Sequence, residues 1–90
     1  SSDLEDIIAV GENLWLCDAR VNIDDLNEKI ETSIPNEEFD TLGGFVFDLF
    51  GKIPAKFEKA SWNGLDFIVQ DMEGHRINQI KILKRNDEIE

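Results

Sequence analysis

Ninety residues make one small domain, and a hydrophobic content of 41%, with six Phe and two Trp, is sufficient for a single compact core. The formal net charge of −11 disfavours binding to nucleic acid or to an anionic membrane surface, because both depend on Lys and Arg. The single cysteine, Cys17, has no partner for a disulfide within the chain, which fits a reducing compartment.

The negative charge is unevenly distributed along the chain. Residues 1–50 carry thirteen acidic and two basic side chains, whereas residues 51–90 carry seven of each. An acidic surface that keeps the domain soluble explains this, and so does a surface that attracts a cation or a basic partner. The longest apolar stretch, residues 42–50, is too short to cross a bilayer, so we expect no membrane insertion by this chain.

The first two predicted elements are short strands. Residues 5–10 and 14–17 have strand character, and residues 11–13, with Gly11, form a turn of the length found in hairpins. Trp15 lies in the second strand and is predicted to belong to the core, as is Trp62 further along the chain.

A first helix is predicted after Asn22, which is suited to cap it. Val21 before the cap and Leu26 at the fourth helical position match a hydrophobic staple, and Asp24 and Asp25 lie where the helix dipole favours negative charge. The core-facing stripe follows the helical period: Ile23, Leu26 and Ile30.

A second helix is predicted after a connection over residues 32–38. Asp40 or Thr41 caps it, Gly51 closes it, and Pro54 follows shortly. Its apolar side chains recur at helical spacing: Leu42, Phe45, Val46, Leu49 and Phe50.

From Phe57 onward the apolar period changes to two. Asn63-Gly64 is a strong signal for a type I′ hairpin turn, and Glu73-Gly74 indicates another turn before a last strand over residues 76–84. The apolar phase slips within that strand, which predicts a β-bulge near Asn78-Gln79. The polar tail from residue 85 to 90 is expected to fray.

The resulting order, β-β-α-α-β-β-β, is typical of an α+β fold with a mostly antiparallel sheet and two helices packed on it. Helices and strands are segregated in the chain rather than alternating. We predict that residues 1–90 form a single domain.

Three segments of the chain resemble a known family: residues 20–27 (RVNIDDLN), residues 39–46 (FDTLGGFV) and residues 51–54 (GKIP). The closing strand, with Arg76, Ile77 and residues 80–82, is also similar. These motifs identify the chain as resembling the CorC/HlyC transporter-associated domain over about residues 5–84. Asn22, Ala19 and Phe39 stand where Ser, Gly and Tyr are usual in the family.

The resemblance implies that the domain is a non-catalytic C-terminal accessory domain of a hemolysin-like or magnesium/cobalt efflux membrane protein. Its partners would be a pair of CBS domains and the transmembrane domain of the same protein, and it would modulate ion transport from the cytoplasmic side. Exposed edge strands also suggest a homodimer. The family's fold is classed with FAD-binding domains, so binding of a flavin or an adenine nucleotide is the alternative.

Thr41, Gly43 and Gly44 are the candidate anion site, because backbone N–H groups at a helix start attract phosphate. Close packing of the helix on the sheet explains the two glycines equally well. The acidic residues at the same helix start would repel an anion, so the sequence favours packing. A bound FAD is therefore expected only by family analogy.

Glu37, Glu38 and Asp40 are the candidate divalent-cation surface, although they lack the spacing of a calcium loop. Cys17 and His75 are the available nucleophile–base pair with a histidine base, and we predict a structural cysteine and a surface histidine instead. No catalytic residues are assigned.

Overall fold

The computed structural model of the chain describes residues 6–85. The elements follow in chain order as β1 Ile7–Gly11, β2 Leu14–Asp18, α1 Ile23–Ile30, α2 Leu42–Phe50, β3 Lys59–Trp62, β4 Leu65–Glu73 and β5 Arg76–Lys84. The predicted α+β class and the order β-β-α-α-β-β-β are confirmed.

The strands form a five-stranded sheet in the order β1-β2-β5-β4-β3, with every neighbouring pair antiparallel. One face of the sheet is defined by paired residues: Ile80 lies opposite both Cys17 and Val69, and Ile82 lies opposite Phe67. These five side chains therefore share one face. All five are fully buried. The two helices pack on this face and contribute six further core residues: Ile23, Leu26, Ile30, Leu42, Phe45 and Val46.

Helix α1 begins where the sequence predicts. The Asn22 side chain accepts a hydrogen bond from the Asp24 N–H at 2.9 Å. The helix ends at Ile30, and Glu31 caps it in a left-handed conformation with φ 59°. The Asn27 side chain then holds the following loop, accepting from the Ile34 N–H and donating to the Ile34 carbonyl, both at 2.9 Å.

The predicted bulge in the last strand is confirmed, and it has a counterpart in β4. Asp71 lies opposite Gln79 and Met72 opposite Ile77, so Asn78 is the extra residue in β5. Between the pairs Val69–Ile80 and Asp71–Gln79, Gln70 is the extra residue in β4. The two extra residues, one in each strand, cancel, so the register is the same on both sides of the bulges. Asn78 Nδ2 donates to Asp71 Oδ2 at 2.7 Å beside the bulge.

The first hairpin differs from its prediction. Gly11 belongs to β1, the turn is formed by Glu12 and Asn13, and Asn13 rather than Gly11 has a positive φ, at 59°. The Asn side chain tolerates this conformation better than most residues, which is why the turn does not need its glycine there. The predicted strand start at residue 5 lies outside the described residues.

Both tryptophans are half-buried at the edge of the core rather than inside it. The Trp62 ring meets Phe45 edge-on with centroids 5.3 Å apart. The burial of Asp66 was not predicted. Its carboxylate accepts a hydrogen bond from Ser61 Oγ at 2.8 Å and pairs with Arg85 at 3.6 Å. Arg85 is thus held by contacts, and the rest of the predicted tail, residues 86–90, lies outside the described residues.

Candidate functional site

The start of helix α2 contains the residues predicted as an anion site. Thr41 is the cap: it has extended backbone, and its Oγ1 accepts from the Gly44 N–H at 3.4 Å. The predicted alternative, Asp40, instead uses its carbonyl to accept from the Ile23 N–H at 3.0 Å. The start of α2 is therefore joined to the start of α1.

The backbone donors at this helix start already have protein acceptors. The Leu42 N–H donates to the Val21 carbonyl at 3.0 Å, and the Gly43 N–H donates to the Ala19 carbonyl at 2.7 Å. A Cβ on Gly43 would lie 2.8 Å from the Ala19 Cβ and 2.9 Å from its carbonyl oxygen. Gly43 thus allows α2 to approach the segment after β2, which supports the packing interpretation for Gly43.

A groove of about 310 Å³ lies beside Gly43 and Gly44. Its lining includes Arg20, His75 and Arg76, which are distant in the sequence, so the basic character of this groove was not predicted. Arg20 pairs with a carboxylate of its own segment, since its Nε lies 3.4 Å from Asp18 Oδ1.

The predicted cation candidates lie on another side of α2. Glu37 and Glu38 line a second groove, of about 280 Å³, that we call the acidic groove. Its full lining is Pro35, Glu37, Glu38, Phe39, Phe45 and Asp48. Asp40, the third predicted member, is not part of it. Within residues 6–85, no three His, Cys, Asp or Glu side chains are close enough together to hold a metal ion.

The segment after α2, which we call the 51–58 loop, is held by a compact set of contacts. Gly51 closes the helix with φ 71°, as predicted. Lys52 Nζ lies 2.7 Å from Glu58 Oε2, and the Ala55 N–H donates to Glu58 Oε1 at 2.9 Å. The hydrogen bonds from Lys52 and then Ala55 lower the pKa of Glu58 below its ordinary value.

The 51–58 loop presents two large apolar side chains to solvent. Ile53 is 50% exposed and Phe57 is 69% exposed; we call this pair the apolar knob. Phe57 has φ 71°, a conformation that costs a bulky residue energy. Its N–H donates to the Val69 carbonyl at 2.7 Å, and the Val69 N–H donates to the Glu58 carbonyl at 2.9 Å, so strand β4 holds the strained residue in place.

The alternating pattern predicted that a strand begins at Phe57, and the exposure of Phe57 was not predicted. Strand β3 begins two residues later, at Lys59. The available signal was the position of Phe57 in the short connection between Pro54 and strand β3.

These features can be compared with known proteins. The model of the CorC/HlyC transporter-associated domain family matches residues 8–86. The chain belongs to this family. Two of the segments that resemble the family, residues 39–46 and 51–54, lie at the two ends of α2.

Relatives of this CorC/HlyC domain are larger proteins with different names. The chain is 38% identical over 81 residues to hemolysin C of Brachyspira hyodysenteriae, covering 89% of the chain and 30% of that protein. It is 34% identical over 77 residues to the magnesium and cobalt efflux protein CorC of Escherichia coli K12, covering 86% and 26%. A polyamine export protein of Salmonella typhimurium is 32% identical over 82 residues, covering 89% and 18%. The chain thus spans less than a third of the length of these curated relatives.

Solved structures show the same fold. A hemolysin domain from Enterococcus faecalis superposes with a TM-score of 0.83 at 26% identity, covering 91% of this chain and all of that one. A CorC/HlyC transporter-associated domain from Nitrosomonas europaea gives 0.75 at 28% identity, covering 89% and 99%. The five-stranded antiparallel sheet with two helices is therefore the architecture of the family.

The single cysteine of this chain is buried. Cys17 has no exposed surface, and burial raises the pKa of its thiol to about 12. A thiol with such a pKa stays protonated at neutral pH and is a poor nucleophile. His75 is exposed at the β4–β5 turn, so the structural cysteine and surface histidine of the sequence prediction match these positions.

Among the described residues of the CorC/HlyC domain, no helix is long and apolar enough to cross a membrane.

Proposed function

We propose that this chain is a non-catalytic accessory domain of a CorC- or hemolysin-like membrane protein and modulates ion transport through contacts with other domains. Family membership over residues 8–86, together with a chain that spans 18–30% of its curated relatives, supports this role. In this proposal the partners are a pair of CBS domains and the transmembrane domain of the same protein, and the domain lies on the cytoplasmic side.

The surface of the domain supports a role through contacts. The 51–58 loop keeps Ile53 and Phe57 in solvent while the Lys52–Glu58 ion pair and the bonds to Val69 hold its backbone. Apolar side chains held on an ordered backbone lose little entropy when a partner covers them, which favours their use as contacts.

A chimera tests this proposal. Escherichia coli CorC carries the matching segment in about a quarter of its length. One strain expresses CorC without that segment, and another expresses CorC with residues 6–85 of this chain in its place. Cobalt tolerance and cobalt efflux are measured, with the amount of each protein in the membrane fraction as the control.

We expect the deletion to reduce cobalt tolerance without abolishing efflux, and the chimera to restore the tolerance. Restoration by this chain would show that it performs the accessory role. A deletion that leaves tolerance unchanged contradicts the proposal, and so does a chimera that behaves like the deletion at an equal membrane level.

A further inference from the structure

The apolar knob and the acidic groove are two exposed surfaces of one chain that differ in charge. The knob consists of Ile53 and Phe57, two of the five large hydrophobic residues with the greatest exposure among those described. Three of the residues that line the acidic groove are apolar: Pro35, Phe39 and Phe45. Its volume of about 280 Å³ is sufficient for a phenyl ring.

The charges around these two surfaces are opposite. Lys52, Lys56 and Lys59 flank the knob along the chain, and all three are exposed. Lys52 pairs with Glu58 at 2.7 Å and Lys56 with Asp71 at 3.7 Å, so among the described residues Lys59 is the lysine of the three that has no ion pair. Glu37, Glu38 and Asp48 are exposed at the rim of the groove. Although the chain has a net charge of −11, the segment around the knob has more basic than acidic residues. Its charge is therefore opposite in sign to that of the acidic rim.

The knob does not occupy the groove of its own chain. Phe57 is 69% exposed, and neither Phe57 nor Ile53 lines the groove. Both surfaces are therefore available to a second molecule.

We propose that the apolar knob of one chain docks into the acidic groove of a second copy. The inference rests on the proposed role of the domain in protein contacts and names one partner for it. Because the knob and the groove are different surfaces, the contact is heterologous and leaves one free knob and one free groove on every pair.

The contact is expected to be weak. One aromatic and one aliphatic anchor bury far less than the roughly 1,600 Å² of a standard stable interface. We expect a dissociation constant on the order of 1 mM for the free domain. Two copies held in one assembly would reach comparable local concentrations, so the contact would form there.

A complementation experiment tests the pairing. The variant I53S/F57S lacks the knob and keeps the groove, and the variant E37K/E38K reverses the groove rim and keeps the knob. Each Glu→Lys change adds two charges, so the second variant has a net charge of −7 instead of −11, which by itself favours self-association. All four substituted residues are exposed, and urea unfolding of each variant checks that the fold is retained.

Self-association is measured by sedimentation velocity and by amide NMR shifts up to about 2 mM at an ionic strength of about 0.15 M, where long-range repulsion is screened. We expect the wild-type chain to associate and each variant alone to associate at least about tenfold more weakly. An equal mixture of the two variants should form a 1:1 pair, with shifts of the labelled I53S/F57S chain confined to residues 35–48.

The variant I8S is the matched control, because Ile8 is 44% exposed and lies on the edge strand β1, away from both surfaces. It should associate like the wild-type chain. If I8S abolishes association while I53S/F57S does not, pairing of edge strands explains the dimer and our inference is wrong.

Two further results would overturn the inference: a wild-type chain that stays monomeric up to about 2 mM, or variants that do not pair when mixed. Co-sedimentation of the monomeric chain with phosphatidylglycerol vesicles, lost in I53S/F57S, would then assign the knob to a lipid surface. These results concern the free domain and leave the cobalt assay of the chimera unaffected, so the two proposals fail separately.

Discussion

The two ends of helix α2 carry two motifs of the family, and the two motifs differ in what their residues do. At its start, the Thr41–Gly44 segment directs its backbone donors to protein acceptors and places Gly43 against Ala19. At its end, the 51–58 loop is equally well bonded but leaves Ile53 and Phe57 in solvent. The first motif is explained by folding, whereas folding does not explain why the second exposes its apolar side chains. A glycine-rich helix start is thus a weak indication of a ligand, and an ordered loop with exposed apolar residues is a better indication of a partner.

The largest expected effect is at the helix start. Gly43→Ala would place a Cβ 2.8 Å from Ala19 Cβ, so we expect a loss of about 1–3 kcal/mol in the free energy of unfolding, measured with urea. Gly44→Ala is the control: its Cβ would meet the Phe39 ring at 3.2 Å, a contact that a small shift of this side chain relieves, and the gain in helix propensity offsets the rest. Equal losses in the two variants would mean that contact with Ala19 does not explain Gly43.

The next effect concerns the cap of the same helix. Thr41→Ala removes the acceptor for the Gly44 N–H, and we expect a loss of about 0.5–1 kcal/mol because this bond is long, at 3.4 Å. Asp40→Ala should stay within about 0.5 kcal/mol of the wild-type chain, since the Asp40 side chain is not the cap. A larger loss in Asp40→Ala than in Thr41→Ala would contradict the assignment.

The 51–58 loop should respond in the opposite direction. Phe57→Gly relieves the left-handed strain at φ 71° and loses little packing, so we expect a gain of up to about 1 kcal/mol in the free energy of unfolding. Phe57→Ala keeps the Cβ and should remain within about 0.5 kcal/mol of the wild-type chain. A loss above about 1 kcal/mol in Phe57→Gly would show that the ring contributes to the fold, and the comparison between the two ends would fail.

The smallest effect is the pH dependence of the loop. The pKa of Glu58 is lowered in the folded chain, so its ionised form contributes stability above the ordinary value of 4.5, and that contribution is lost as the pH falls through the folded pKa. Glu58→Gln should therefore be slightly less stable than the wild-type chain at pH 7 in urea unfolding, and the difference should shrink below pH 4.5. Lys52→Met, which removes the main cause, should show the same trend. A difference that stays constant down to pH 2.5 would contradict this account.

The local structure was largely predictable, because its signals lie within a few residues of one another. Asn22 caps α1, Gly51 closes α2, and Asn63 and Gly64 take positive φ values of 50° and 83° in the predicted hairpin turn. The slip in apolar phase located the bulge near Asn78, since the side-chain period of a strand must match its buried face.

Three other non-glycine residues with left-handed backbone were not predictable in this way. Asn13, Glu31 and Phe57 all have positive φ, and the last two are residue types that avoid this conformation. Their conformation is imposed by the hydrogen bonds of neighbouring segments, as for Phe57 and Val69.

The sequence by itself determined the elements, their order, the family and most of the apolar side chains that form the core. Only the tertiary structure decided which distant residues meet: Arg20 and Arg76 beside Gly43, Glu37 with Asp48, and the exposed pair Ile53 and Phe57. The reason is that periodicity and capping depend on neighbours in the chain, whereas the charge and exposure of a surface depend on how α2 packs against strands far away in the sequence.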